Sequence, residues 1–226
     1  MNDDDWHKLL RQGAAFLGLQ ISSAQSLCLH RHMCEMLYWN RKFNLTAITR
    51  PEDIAIKHFL DAIAPIDRIP SGGRILDVGT GAGFPGIPIK ILRPMVSMTL
   101  IDSSRKKINF IRHLIRQLDL KHVDARQTRI EAFVRGLWPP NHFEVIVSRA
   151  VTNIVGLTHL VMPLLRSGAA LWLWKGPDIE EELRALDEVP EVRQGTLRVH
   201  VHPYQLPIVD VGRNLVRVEF NVSGAE

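Results

Sequence analysis

Seven consecutive residues, Asp77-Val78-Gly79-Thr80-Gly81-Ala82-Gly83, carry the densest chemical signal in the chain. Three glycines at alternate positions let the backbone turn sharply and approach a ligand that any Cβ would hold off. A loop of this kind fits many cofactors, and also a tight turn with no ligand. The acids around it narrow the choice. A pyrophosphate is anionic and favours bare N–H groups at a helix start, so a carboxylate leading into the loop would oppose it. A ligand with an ammonium and a sulfonium group would instead be attracted by Asp77. Asp102 ends the next apolar strand, where a carboxylate can accept hydrogen bonds from both hydroxyls of a ribose; alone it suits a nicotinamide dinucleotide equally. Asp77 and Asp102, with Gly79, Gly81 and Gly83 between them, predict S-adenosylmethionine as the cofactor in preference to NAD.

These residues work only if strand ends converge, and the pattern beyond residue 70 supplies such a scaffold. Pro70-Ser71-Gly72-Gly73 is the clearest boundary. Before it the chain reads as helical: a short segment with Trp6, Leu9, Leu10, Phe16 and Leu17, a second helix capped by Ser22 or Ser23, and a third from Pro51 to about Ile66. After it, short apolar runs at Arg74–Val78, Met98–Asp102, His122–Arg126, Phe143–Ser148 and Ala169–Trp174 alternate with amphipathic stretches near 85–92, 104–118, 130–136 and 152–165. That rhythm is βαβ and predicts a mostly parallel sheet covered on both faces. An acidic helix from Asp178 and two alternating strands, Leu197–His202 and Leu215–Val222, follow and close the edge as an antiparallel hairpin. The expected fold class is α/β, a Rossmann-like class I S-adenosylmethionine-dependent methyltransferase with seven strands. Residues 1–70 form a helical extension packed on a catalytic domain, 71–226.

Composition excludes several alternatives. No apolar run approaches the ~20 residues that span a bilayer, and the acidic start lacks the basic region of a secretion signal. Cys28 and Cys34, the only cysteines, do not form a Cys-x-x-Cys pair. This argues for a reducing, cytoplasmic setting with neither a disulfide framework nor a zinc knuckle. His200 and His202 point the same way on a strand, but without a third ligand no metal is expected. Charge is uneven: residues 72–177 hold 15 Lys and Arg against 6 Asp and Glu, while residues 178–226 hold 5 against 10. Such a focused excess suits a polyanion such as RNA, although a solvated basic surface would look the same. The chain is expected to act as a monomer.

Several strings in fixed order add a resemblance over nearly the whole chain. They are Trp39-Asn40 through Asn44-Leu45-Thr46-Ala47-Ile48, then His58-Phe59-Leu60-Asp61-Ala62, then Leu76 to Pro88 across the glycine loop. Asp102-Ser103 with Lys106-Lys107, Ser148-Arg149-Ala150 and Lys175-Gly176 complete the set. The sequence resembles the bacterial 16S ribosomal RNA guanine-N7 methyltransferase G family, also called glucose-inhibited division protein B. The resemblance implies methyl transfer from S-adenosylmethionine to N7 of a guanine in the 530 loop of small-subunit rRNA. It also implies cofactor contacts at Gly79, Phe84, Ile130, Glu131 and Arg149. Ala62 departs from an expected serine, and a long basic proline-rich tail found in some members is not matched here. A methyltransferase for a non-RNA substrate, or an RNA-binding protein without turnover, would share much of this pattern.

Guanine N7 has an in-plane lone pair, so its methylation needs no prior deprotonation and no nucleophilic cysteine. It needs alignment in a dry site. Arg149, at the end of the fourth strand, is the expected central positioning residue, unless it serves as a salt bridge to Glu131 or Asp77. His58 and Asp61 share a helical face; they either approach the base, Asp61 stabilising the forming cation, or hydrogen-bond each other and pin the helix to the sheet. Lys106, Lys107 and Lys175 are expected phosphate contacts if they are not simply solvated. Asn40 and Asn44 read as closing a helix C-terminus, Trp172 and Trp174 as core.

Overall fold

The computed structural model describes residues 1–136, 143–149 and 152–221. The expected turn at Trp138–Asn141, the Ala150-Val151 step and the C-terminal residues 222–226 lie outside the described residues.

Helix α1 (Asp3–Phe16) begins at the Asn2 cap, and α2 (Ser23–Asn40) begins at Ser22, whose side chain and Gln25 form a reciprocal capping box. After α3 (Pro51–Ile54) the third expected helix continues differently from a regular one. It passes through a π-helical stretch, Ala55–Leu60, into the short α4 (Asp61–Ile63), and a separate 3-10 turn spans Ile66–Arg68. The π stretch widens the helix at the residues that later meet the site.

The sheet follows the expected rhythm: β1 (Arg74–Val78), α5 (Gly86–Leu92), β2 (Ser97–Asp102), α6 (Arg105–Gln117), β3 (Val123–Gln127), α7 (Ile130–Arg135), β4 (Val145–Arg149), α8 (Ile154–Arg166) and β5 (Ala170–Lys175). Then come α9 (Glu180–Asp187), a short α10 (Pro190–Arg193) that was not expected, and the hairpin β6 (Leu197–Leu206) and β7 (Val211–Phe220). Strand order is β3-β2-β1-β4-β5-β7-β6. The first five strands are parallel; β7 runs antiparallel to β5, and β6 lies outermost. The order reverses between β1 and β4, which is where open α/β sheets leave a crevice beyond their carboxyl ends.

Alternation along the strands divides the interior in two. Ile75, Val145, Val147, Ala170, Trp172 and Trp174 face the N-terminal helices, α5 and α6. Leu76, Val78, Ile146, Leu171 and Leu173 face α7, α8 and α9. Residues 1–70 therefore share one core with a face of the sheet. Trp172 and Trp174 are buried there, at 5% and 2% exposure.

Candidate active site

The glycine loop leaves β1 with left-handed φ at Gly79, Gly81 and Gly83 (68°, 58° and 94°), which only glycine adopts freely. Gly79 and Thr80 donate their N–H groups to Ile101 O on β2. Asp102 receives the loop: its carboxylate accepts from Gly81 N at 3.0 Å and Ser104 N at 2.8 Å. A cavity of about 430 Å³ opens here, with Gly79, Asp102, Lys107, Ile130, Glu131 and Leu160 on its walls. It therefore brings together Gly79, Asp102, Ile130 and Glu131 of the expected cofactor residues. Gly81 anchors the loop from behind through Asp102.

Asp77 and Phe84 are placed elsewhere, Asp77 for a reason of strand parity. Asp77 shares the face of Ile75, opposite that of Val78, and lies fully buried beneath α5. Its Oδ2 accepts from Thr80 Oγ1 at 2.8 Å and Gly86 N at 3.0 Å, while Oδ1 has no protein partner. Burial pushes its carboxyl up to about 7. Asp77 thus holds the loop's shape and contributes its charge from behind the wall. A Cβ on Gly86 would stand 2.5 Å from Asp77 Oδ2, so the close approach requires glycine. Phe84 also turns from the cavity. Its ring is sandwiched between His32 (4.8 Å, 16°) and His58 (4.7 Å, 20°). His32 donates from Nε2 to Ala82 O at 2.7 Å, so α2 grips the loop directly, and burial holds this histidine down to about 4.

The second group of expected residues converges at the end of β4. Arg149 follows the parity of Val145 and Val147, so it points toward the N-terminal helices and away from Glu131. Its Nη1 donates to Lys57 O at 3.0 Å and Asp61 Oδ2 at 3.2 Å, and its Nη2 donates to His58 Nδ1 at 2.7 Å. The π stretch makes one of these acceptors available: Asp61 N–H reaches back five residues to Ile56 O, and Lys57 O turns to the arginine. His58 Nε2 donates to Thr46 Oγ1 at 2.9 Å. Asn40 holds that threonine in place, accepting from Leu45 N and Thr46 N and donating to Thr46 O. His58 and Asp61 do not bond each other; each binds Arg149.

Asp61 is the centre of this network and was only partly foreseen. Besides Arg149, its carboxylate accepts from Arg213 Nε at 2.9 Å, Arg213 Nη2 at 3.1 Å and Tyr204 Oη at 2.7 Å. Such forked, charge-assisted bonds are the strong ones. Burial lowers the Arg149 pKa while Asp61 opposes the shift, and burial with the Asp61 charge raises Tyr204. Arg213 and Tyr204 lie on the hairpin, and no motif spacing pointed to them.

The lysines separate. Lys107 enters the cavity, its Nζ 3.9 Å from Asp102 Oδ2. Lys106 stays exposed and lies over the Phe43 ring at 5.6 Å. Lys175 corrects an expectation: it is 12% exposed, and its Nζ donates to Glu182 (2.7 and 3.0 Å) and Thr152 O, which removes it from the rim. Its strand parity directs it to the α9 side. Among the described residues no three His, Cys, Asp or Glu side chains gather as a metal site, and no helix is long and apolar enough to cross a membrane.

A seven-stranded sheet of this order, with a glycine loop after β1 and an acid closing β2, defines the class I methyltransferase fold. A putative O-methyltransferase from Klebsiella pneumoniae shares it, with TM-score 0.57 at 13% identity over 84% of this chain and 90% of that one. So does M. capricolum TrmK in complex with S-adenosyl-homocysteine, with TM-score 0.54 at 11% identity over 71% and 67%. The chain belongs to the GidB family, rRNA small subunit methyltransferase G, whose family model matches residues 25–206. The ribosomal RNA small subunit methyltransferase G of Desulforamulus reducens is 36% identical over 93% of this chain and 88% of its own.

Proposed function

We propose that this protein transfers a methyl group from S-adenosylmethionine to N7 of a guanine in the 530 loop of 16S rRNA, within the small ribosomal subunit or its precursor. Membership of the GidB family over most of the chain carries this reading. The cavity fits the cofactor chemically. Two carboxylates, Asp102 and Glu131, suit a ribose and a cationic ligand, and Ile101, Ile130 and Leu160 offer apolar contact for a flat base. Asp77, once ionised above its raised pKa, adds negative charge behind the loop. When bound, S-adenosylmethionine supplies the electrophilic methyl group.

The chain's own residues then have a positioning task. Guanine N7 attacks with a lone pair it already has, so no side chain must first take a proton. His58 suits this, because it is held neutral, with burial and then the Arg149 charge lowering its pKa to about 3. Arg149 presents positive charge at the strand ends next to the loop, where the register pairs Val78 with Ser148. Lys106, exposed beside the Phe43 ring and one residue before the cavity-lining Lys107, is free to meet a phosphate, and the 15 basic residues against 6 acidic ones in 72–177 favour RNA.

The test uses small ribosomal subunits lacking the modification and labelled methyl donor. Label recovered as 7-methylguanine in the rRNA is expected. Label on a protein or small molecule instead would replace the substrate, and binding of RNA with no transfer would remove the activity.

A further inference from the structure

Beside the cofactor cavity lies a second hollow of about 380 Å³, walled by His58, Asp61 and Arg149 on one side and by Leu206, Val209 and Val211 on the other. The apolar side is the tip of the β6–β7 hairpin, closed by the pairing of Leu206 with Val211. At this tip Ile208 and Asp210 take left-handed φ of 76° and 46°, conformations that a β-branched residue such as Ile208 adopts only under constraint. The turn throws Ile208 outward at 59% exposure and leaves Val209 packed on the core.

The hollow joins the cofactor site through the backbone. Arg149 directly follows Ser148, and Ser148 pairs with Val78, the residue before Gly79. Its chemistry suits a flat, uncharged ring with acceptors on one edge. Three valine and leucine side chains offer a stacking wall. The one carboxylate present, Asp61, is saturated by two guanidiniums and a phenol. Arg149 has already committed three N–H groups to Lys57, Asp61 and His58. Arg213 spends Nε and Nη2 on Asp61, which leaves Nη1 as its open end. Single donors can thus meet O6, while the forked O6/N7 clamp that free arginines make on guanine, and that would block N7, is disfavoured here. Lys57, on the same wall, is half exposed, with its Nζ 2.8 Å from Asp53 Oδ1 in a surface ion pair for which a flanking phosphate can compete.

We infer that this hollow receives the target guanine turned out of its stack, and that the β6–β7 hairpin tip is its apolar wall. The assignment rests on the rRNA reading above. Enzymes that act on a base within nucleic acid take it into such a pocket, held by apolar faces and edge hydrogen bonds.

The experiment fills the pocket from its exposed lip. Val211→Trp is compared with Val201→Trp, an exposed site on the same hairpin outside the hollow. Expected for Val211→Trp is about 100-fold lower kcat/KM on unmodified small subunits, the scale of a misplaced reacting group, with S-adenosylhomocysteine affinity and Tm unchanged. Val201→Trp should match wild type. Should Val211→Trp unfold, Val209→Ser tests the same wall and should raise KM for the subunit without moving S-adenosylhomocysteine affinity. An active wild type whose pocket variants stay equally active overturns the pocket alone, as does equal impairment by Val201→Trp. A wild type that labels no RNA overturns the rRNA reading and the pocket's ligand with it.

Discussion

Arg149 Nη2 stands 2.7 Å from His58 Nδ1, and this bond fixes the tautomer of a histidine that burial, and then the arginine's charge, keeps neutral. A guanidinium has only donors, so Nδ1 must hold a lone pair and the imidazole proton sits on Nε2. The histidine orients the arginine and moves no proton. At saturating cofactor, His58→Asn should lower kcat while leaving the shape of its pH profile between about pH 6 and about pH 8, the range where a free histidine titrates, as it was. Loss of an ionisation from the profile would show His58 acting as an acid or base.

Asp61 should be far less replaceable than its neighbours. Asp61→Ala strands Arg149 and Arg213 without their shared counter-charge, a change that costs roughly 3–5 kcal/mol for a buried pair. Asp61→Asn keeps the volume and some bonds, so it should lose less stability but still reduce kcat. Urea unfolding of both variants beside steady-state rates checks this; equal, small effects would contradict the hub.

Asp77 gives a pH dependence with a definite sign. Its carboxyl titrates at about 7 in the fold against 3.8 for an ordinary aspartate. The charged form, dominant above the folded value, attracts a cation, so affinity for S-adenosylmethionine should rise as pH rises through neutrality. Stability runs the other way: a raised folded pKa stabilises fully below the unfolded value and is lost as pH climbs through the folded one. Asp77→Asn should flatten the calorimetric affinity profile and remove this contribution to thermal stability.

Gly86→Ala should damage the loop without touching the ligand. The new methyl group would meet Asp77 Oδ2 and Leu100 Cδ2, each at 2.5 Å, and overpacking of this kind costs about 1–3 kcal/mol. Weaker S-adenosylhomocysteine binding should accompany the lower stability. Gly72→Ala, with nothing within 4 Å, should do neither.

The lysines predict different salt behaviour. Lys106→Ala should weaken RNA binding across sequences and reduce the salt slope by about 1, as for one lost phosphate contact. Lys175→Ala should leave that slope unchanged and lower stability instead, because it strands Glu182. Binding measured across a salt series separates them.

The order of helices and strands was legible because period-2 and period-3.6 patterns change sharply at Pro70–Gly73. Strand parity was also legible, and it decides much of the site. Val145, Val147 and Arg149 share a face, which sends Arg149 to the N-terminal helices; Asp77 goes with Ile75, and Lys175 with Leu173. Reading parity at the strand ends would have separated Asp77 from the cavity wall and given Lys175 its partner. Phe84 was harder, since its neighbours His32 and His58 come from two different helices. Tyr204 and Arg213 were not legible at all. They sit in an ordinary alternating hairpin, and only the tertiary fold brings them to Asp61.

That last convergence has a consequence for biosynthesis. Asp61 meets Tyr204 and Arg213 across 143 and 152 residues of chain, whereas Thr80 and Gly86 lie 3 and 9 residues from Asp77. Contacts of such long sequence separation form late. A nascent chain emerging from the ribosome would build its glycine loop well before the arginine at β4 is locked, so competence arrives only with the hairpin's translation.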